Sequence, residues 1–454
     1  MTRQRTATPA AGDRQRTRGI MERLAERIRA TTAQIGVIGL GYVGLPLAVE
    51  FARKGFRVTG IDVDRARVRH VNAGRSYIPD VPTPMLQELV QRKRLSATDG
   101  VSGLGEQDAI IICVPTPLRK TREPDVSYIV SAAQSIAQHL RPGQLVVLES
   151  TTYPGTTEEV ILPMLEAGGL KVGRDFCLAF SPERIDPGNA KFTTPTIPKV
   201  IGGMTPTCQK LAMQLYGRVI QTLVPVSSPK AAEMVKLLEN TFRAVNIGLV
   251  NEMALMCDKL GVDVWEVIEA AKTKPFGFMA FYPGPGIGGH CIPSDPMYLA
   301  WKARALGFEA RFIELADQTN RYMPHHVVEK VTQALNEQKK SLKGSRILLV
   351  GLAYKKDVND IRDSPAFEVA QELHTRGASV TYHDPYVPTA QVNGVRSRSV
   401  PITAEGLKRM DCVVLLTNHS NVDYPLMLHY APLIVDTRNQ YRQAGRTPSR
   451  VVKL

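Results

Sequence analysis

The chain has 454 residues, of which 43% are hydrophobic and 22% charged, too long for one ordinary domain and too apolar for overall disorder. Lysine and arginine number 57 against 43 acidic residues, a net charge of +14; eight of those arginines fall within residues 1–30. The rest of the excess is spread along the chain and accompanies no basic-aromatic module, which suits an anionic small-molecule substrate at least as well as nucleic acid, and no nucleic-acid partner is expected.

Residues 1–30 hold no apolar signal-like stretch and read as a flexible basic leader, with capacity for a short helix over 19–30. A strand follows at 34–39, a helix at 45–53 stopped by Gly55, and a second strand at 57–62. Continuous apolar strands at 109–114, 145–149 and 176–180 point to a parallel sheet covered on both faces. From Pro229 the texture turns helical. One long pattern covers 231–260 and a second runs from Phe312 to about Lys340, with an interruption expected near Pro324. Between them lies a loop dense in glycine and proline, residues 282–291. A strand at 346–351, a helix capped by Ser364 and a strand ending at Asp384 then repeat the opening plan without its glycines. The expected architecture is α/β: a Rossmann-like doubly wound domain over 31–228, a helical domain over 229–342, and a second Rossmann-like domain over 343–454. No uninterrupted apolar run approaches the ~18 residues a membrane span needs, so no membrane partner is expected.

Gly39, Gly41 and Gly44 sit between a strand and a helix. The first permits a tight turn, the second lets backbone approach a pyrophosphate, and the third allows helix and strand to pack closely. Asp62, at the end of the next strand, is placed to accept ribose hydroxyls and favours NAD over NADP. The six cysteines are widely spaced and form no CxxC pair, which suggests a reducing, cytoplasmic location rather than a disulfide framework. Cys291 follows Gly288 and Gly289, with a helix expected to start near Ser294 and Asp295 one turn on. A thiolate is favoured beside a helix N-terminus, although the residues alone leave an inert buried thiol open. Lys236 and Asn240 share one helical face and could hold an oxyanion, or be a solvated lysine and a plain asparagine. Glu183 and Arg184 end a strand where α/β folds bind ligands, and Lys355, Lys356 and Arg362 are placed likewise; surface pairs and a solvated basic loop are the plainer alternatives. His290 and the pair His325-His326 lack an HxxxH-type partner, so no metal is expected.

Taken together, these pieces resemble the UDP-glucose/GDP-mannose dehydrogenase family over about residues 33–450. The motifs are GLGYVGLP at 39–46, VPTP at 114–117, STTYPGTT at 150–157, SPER at 181–184, KLLEN at 236–240, PGPGIGGHCIPSDP at 283–296, GLAYKKDVNDIRDSP at 351–365 and VDTR at 435–438. The stretches ESTTYPGTTEE, SPERIDPGN, KPFGF and YPGPGIGGHCIP are similar to the bacterial UDP-N-acetylglucosamine 6-dehydrogenase branch, which serves surface-polysaccharide synthesis; UDP-N-acetylmannosamine and UDP-glucose remain the alternatives.

The resemblance implies an NAD domain, a helical dimerisation core forming a homo-oligomer, and a C-terminal domain for the uridine nucleotide. It implies a four-electron oxidation at the sugar's C6 with Cys291 as nucleophile and Lys236 and Asn240 on the oxyanion. Asp295 is implied in proton transfer, and Thr151 and Glu183 in holding the catalytic water. For the cofactor NAD it implies Gly39, Gly41, Tyr42, Val43, Gly44, Asp62, Arg67, Thr116, Thr151 and Arg362. For the UDP-sugar it implies Glu183, Arg184, Lys236, Asn240, Tyr282, Gly284, Gly288, Lys355 and Arg438. Many members carry an arginine ahead of the glycine-rich loop; this chain reads Lys272-Thr-Lys274, to which the resemblance gives no role. A two-electron hydroxyacid dehydrogenase would need no GGHC thiol, and a non-catalytic binder would not need Cys291, Lys236 and Asp295 together.

Overall fold

The computed structural model describes residues 11–119, 121–185, 192–442 and 449–454, with side chains from residue 19 onward. Residues 1–10 of the leader and the DPGN end of the SPERIDPGN stretch lie outside the described residues. The chain divides into two compact units, residues 1–238 and 239–454.

The first unit is built on eight strands: β1 Gln34–Ile38, β2 Arg57–Ile61, β3 Leu95–Thr98, β4 Ala109–Ile112, β5 Leu145–Leu148, β6 Cys177–Phe180, β7 Lys199–Gly203 and β8 Leu223–Val226. Their order is β3-β2-β1-β4-β5-β6-β7-β8, the doubly wound plan. The strands read from the sequence, β1, β2, β4, β5 and β6, all pair in parallel as expected; β7 runs antiparallel to β6, and β8 lies parallel to β7. Alternation along each strand feeds two cores. Ile35, Val37, Ile111 and Val147 face one layer, whereas Ile110, Ile112, Val146 and Leu148 face the other.

The leader reading is corrected over 11–29. Ala11–Arg29 is a helix, and Met21, Leu24 and Ile28, at helical spacing, are 5%, 3% and 0% exposed within the first of those cores. Burial of each such side chain is worth about 1.5–3 kcal/mol, which anchors the helix on that core. Arg27 adds an ion pair to Asp108 at 2.7 Å.

The second unit opens with helical segments. The helix Pro229–Leu260, which begins in the first unit, is followed by Val264–Ala271, Cys291–Ala305 and Arg311–Glu337. Pro324 does not interrupt the last: it is buried inside a continuous helix, costing one backbone hydrogen bond. A five-stranded parallel sheet follows, of β9 Arg346–Val350, β10 Ser379–His383, β13 Cys412–Leu415, β14 Ile434–Asp436 and β15 Val451–Lys453, in the order β10-β9-β13-β14-β15. β11 Thr389–Val392 and β12 Val395–Arg398 form a separate hairpin. Its Asn393 and Gly394 both have positive φ, the turn an Asn-Gly pair favours. The fold is thus α/β with Rossmann-like N- and C-terminal parts and a helical centre.

Candidate active site

In the first unit the sheet order reverses between β1 and β4, the switch point at which such sheets leave a crevice beyond their strand ends. The three glycines at this point differ in what they permit. Gly39 has φ 93°, and a Cβ there would lie 2.5 Å from the Cys113 carbonyl. A Cβ on Gly44 would meet the Gly39 carbonyl at 1.8 Å. A Cβ on Gly41 would meet nothing within 4 Å, so that position is open toward a ligand rather than packed. The helix Gly44–Arg53 starts after Val43, which offers no side-chain cap, and Tyr42 is exposed. Uncapped amides at a helix start suit a phosphate. The Asp62 carboxylate accepts from the Leu40 amide at 2.8 Å and pairs with Arg67 at 3.3 Å. Thr116 is buried beyond β4, and Thr151 is half-buried beyond β5. The Ser150 hydroxyl donates to the Val114 carbonyl at 2.8 Å, tying the VPTP turn to the STTYPGTT turn.

Glu233 was not among the expected site residues. Its buried carboxylate accepts from the Gly155 amide at 2.5 Å and from the Thr157 amide at 2.9 Å, pinning the turn that carries Thr151. Glu183 accepts from the amides of Arg184 and Ile185, both at 2.7 Å, and faces Lys199 at 3.4 Å. Arg184 donates to the Pro198 carbonyl at 2.6 Å. Lys236 is buried on the helix Pro229–Leu260.

In the second unit Cys291 is exposed, whereas Cys257 is half-buried and the other four cysteines are buried; none of the six is in a disulfide. Cys291 is itself the first residue of the helix Cys291–Ala305, three residues earlier than expected. Pro293 is tolerated because amides of a first turn have no intrahelical acceptor. Asp295, one turn on, is buried and accepts from the Asn240 side-chain amide, so the structure brings these two expected residues together.

The glycine-proline loop is held from both sides. The Gly284 amide donates to Asn251 Oδ1 at 3.0 Å, and buried Asn251 donates in turn to Asn320 at 2.9 Å. A Cβ on Gly284 would lie 2.7 Å from the Arg438 guanidinium, and one on Gly288 2.5 Å from Tyr354. Arg438 donates to the Leu416 carbonyl at 2.7 Å, and desolvation, only partly offset by Asp436, pulls its pKa down to about 10. Tyr282 stacks on Trp265 and donates to Glu269 at 2.8 Å. Lys272 donates to the Tyr282 hydroxyl at 3.2 Å, which places one of the unassigned lysines in this local network. Lys355 is half-buried in the turn after β9. Arg362 forms a two-pronged pair with Asp360, and its carbonyl accepts from the Gly289 amide at 3.0 Å.

Three successive domains of one family match this chain: the NAD binding domain over 33–220, the central domain over 230–322 and the UDP binding domain over 348–443. The chain belongs to the UDP-glucose/GDP-mannose dehydrogenase family. It is 38% identical over 356 residues to a UDP-N-acetyl-D-glucosamine 6-dehydrogenase from Pseudomonas aeruginosa, covering 78% of this chain and 83% of that protein. It is 37% identical over 390 residues to a UDP-N-acetyl-D-mannosamine dehydrogenase from Pyrococcus horikoshii, covering 85% and 89%. The solved structure of a UDP-D-ManNAc dehydrogenase from that organism superposes with a TM-score of 0.84 at 33% identity, covering 92% of this chain and 98% of that one.

Membership makes the chain an NAD-dependent oxidoreductase of UDP-sugars, and the open approach at Gly41 fits the dinucleotide. Among the described residues no helix is long and apolar enough to cross a membrane. The partners that sequence reasoning missed, Glu233, Asn251, Asn320, Glu149 and Lys199, share one trait. Each is a buried polar residue whose partner is distant in the chain, and only Glu149 stood inside a quoted motif.

Proposed function

We propose that this chain oxidises C6 of UDP-N-acetylglucosamine through the aldehyde to the uronic acid. The observation that carries the proposal is the exposed Cys291 at the first position of its helix, behind Gly288 and Gly289. Helix-terminal amides stabilise negative charge on sulfur, and the glycines leave room for a sugar. Bound NAD supplies the hydride acceptor for each of the two oxidations. Gly39, Gly41, Tyr42, Val43, Gly44, Asp62, Arg67, Thr116 and Thr151 are assigned to holding it, together with Arg362. The Cys291 thiolate adds to the aldehyde carbon to give a thiohemiacetal. Loss of the hydrogen on that carbon as hydride leaves a thioester, and water cleaves it to the carboxylate and the free thiol.

Within the second unit, Asn240 and Asp295 are assigned to oxyanion stabilisation and proton transfer. Tyr282, Gly284, Gly288, Lys355 and Arg438 are assigned to the nucleotide sugar. Of the first unit's residues, Lys236 is assigned to the oxyanion, Thr151 and Glu183 to the hydrolytic water, and Arg184 to the substrate. The product would feed surface-polysaccharide synthesis in the cytoplasm, a reducing location consistent with six unbridged cysteines.

The choice of the glucosamine sugar is supported by the stretches ESTTYPGTTEE and SPERIDPGN and by the Pseudomonas relative. The Pyrococcus relatives favour the mannosamine epimer as the second reading. A pocket built to hydrogen-bond an acetamido group leaves polar groups unpaired with UDP-glucose. The expected result is therefore at least about a hundredfold lower kcat/KM for UDP-glucose, roughly 2.7 kcal/mol. Initial rates with the three UDP-sugars at equal concentration test this. Equal rates with UDP-glucose overturn the N-acetylhexosamine assignment, and a preference for the mannosamine sugar overturns the epimer alone.

A homodimer is part of this reading. Phe242, Leu249, Met253, Met256 and Leu260 are exposed along one helix, and Phe312, Leu315 and Tyr322 along another, more apolar surface than a lone chain leaves uncovered. Sedimentation of the intact protein checks the dimer; a monomer at micromolar concentration contradicts it.

A further inference from the structure

Beneath the C-terminal ends of β5 and β6 Glu183 belongs to a buried charged cluster whose other members, Lys199 and Glu149, the assignments above do not use. Lys199, the first residue of β7, is 4% exposed. Its ammonium lies 3.0 Å from Glu149 and 3.4 Å from Glu183. Glu149, 1% exposed, also accepts from the hydroxyl of fully buried Tyr216, and the Lys199 ammonium stands 5.3 Å from that ring's centre. One cation thus serves two carboxylates.

Such a cluster is a poor way to gain stability, because well-packed apolar residues of the same volume do as well or better. Its members are not equivalent. The Glu149 side chain is fully buried, whereas Glu183 keeps 11% of its side chain exposed and sits where strand ends meet the crevice.

We propose that Lys199 is a positioning residue for Glu183: from a site no reactant reaches, its ammonium keeps the Glu183 carboxylate ionised and in one orientation, fit to take a proton from water rather than give one. The proposal rests on the assignment of Glu183 to the hydrolytic water. Orientation follows from the division of labour between the two oxygens. Oε1 accepts from the Arg184 and Ile185 amides, and Oε2 faces Lys199. Charge follows from the surroundings. Burial alone would raise the Glu183 pKa, but the Lys199 ammonium, the Ile185 amide, Lys236 and the Arg184 amide together hold it below the ordinary carboxylate value. Glu149 is displaced the other way. Burial raises it, Lys199 offsets only part, and repulsion from Glu183 adds to the rise. Two carboxylates around one cation are thereby driven apart, the arrangement that gives paired acids distinct roles. Among the described residues Cys113 and Tyr216 also face the cluster, and burial pushes both well above their ordinary values, so both stay neutral.

The test is the pH dependence of kcat with saturating NAD and UDP-N-acetylglucosamine, compared across wild type, Glu149→Gln, the double variant Glu149→Gln/Lys199→Met, and Glu183→Gln. The double variant removes one positive and one potential negative group, so it avoids leaving two buried carboxylates with no cation. Removing Glu149 takes away repulsion, and the acidic limb should move to lower pH. Removing Lys199 as well takes away the main attraction. The limb should then move about one pH unit or more above that of Glu149→Gln. At pH 7, where a limb one unit higher still leaves Glu183 ionised, loss of its fixed orientation should lower kcat at least about tenfold, with KM for NAD changed less than about twofold. A limb at the same pH in all three Glu183-containing proteins, with Glu183→Gln inactive, overturns the proposal alone. Wild-type turnover by Glu183→Gln overturns the role of Glu183 and the proposal with it.

Discussion

Asp62 and Asp384 each follow the second strand of a strand–helix–strand unit, and each receives the amide one residue past a positive-φ glycine, Gly39 or Gly351. Beyond that they diverge. Asp62 accepts from Leu40 and Asp64 and pairs with an arginine that is 41% exposed, so one of its partners is held only at the surface. Asp384 accepts from Leu352 at 2.7 Å, Ala353 at 2.9 Å, Tyr386 at 2.8 Å, Val387 at 3.1 Å and buried His419 at 3.1 Å. His419 Nδ1 accepts from the Asp357 amide at 2.9 Å, which puts the ring proton on the nitrogen facing Asp384. In the second unit Ala353 and Lys356 stand where the first has Gly41 and Gly44. The same plan serves twice with a buried acid, once with three hydrogen-bond donors beside an open turn at Gly41, and once with five donors that tie the acid into the turn that carries Lys355. Sequence position alone does not say whether a strand-ending aspartate reads a ribose; its hydrogen-bond partners do.

Breaking each aspartate should therefore give different failures. Asp384→Asn replaces a fully buried charged acceptor with a neutral amide that cannot accept all five bonds, and should cost about 2–4 kcal/mol in denaturant unfolding. Asp62→Asn should cost less than about 1 kcal/mol. Equal losses would dissolve the contrast. Burial tends to raise the Asp384 pKa, but His419 and the Ala353 amide outweigh it and hold the folded value low. Its contribution is then present above the unfolded carboxylate value of about 4 and disappears as pH falls through the lower folded value. Asp384→Asn should lose that part of the acid sensitivity.

Gly41→Ala sharpens the comparison from the other side. Its Cβ would meet nothing within 4 Å, so folding should be unaffected while NAD affinity drops at least about tenfold and UDP affinity stays unchanged. Unaltered NAD affinity in calorimetry would mean that the turn does not receive the pyrophosphate. A smaller effect is expected for Asp62→Ala, which should narrow the preference for NAD over NADP by roughly tenfold. Equal kcat/KM for the two cofactors in the unmodified enzyme would contradict the reading of Asp62.

Much of this was legible because local chemistry encodes it. The Gly39 turn, the apolar strands and the GGHC loop each follow from residues adjacent in the chain. The leader helix was misread because arginines dominate its composition, although Met21, Leu24 and Ile28 keep a helical period. The helix at Cys291 was set three residues late because Pro293 reads as a boundary, yet a proline in a first turn forfeits no hydrogen bond. The Lys199 cluster was invisible for a different reason. Glu149 lies 50 residues from Lys199 and 67 from Tyr216, and nothing local to any of them announces a buried partner. Asp384 was noticed as a strand-ending acid, but His419, 35 residues on, decides what it does.

The central claim is a four-electron oxidation that passes through a covalent bond to Cys291. The most direct measurement is the number of NADH formed per UDP-N-acetylglucosamine consumed, in the wild type and in Cys291→Ser. Two NADH per sugar in the wild type, with acid formation in Cys291→Ser reduced at least about a thousandfold while NAD and UDP-sugar still bind, is the predicted result. One NADH per sugar in the wild type, or full turnover to the acid by Cys291→Ser, would contradict it.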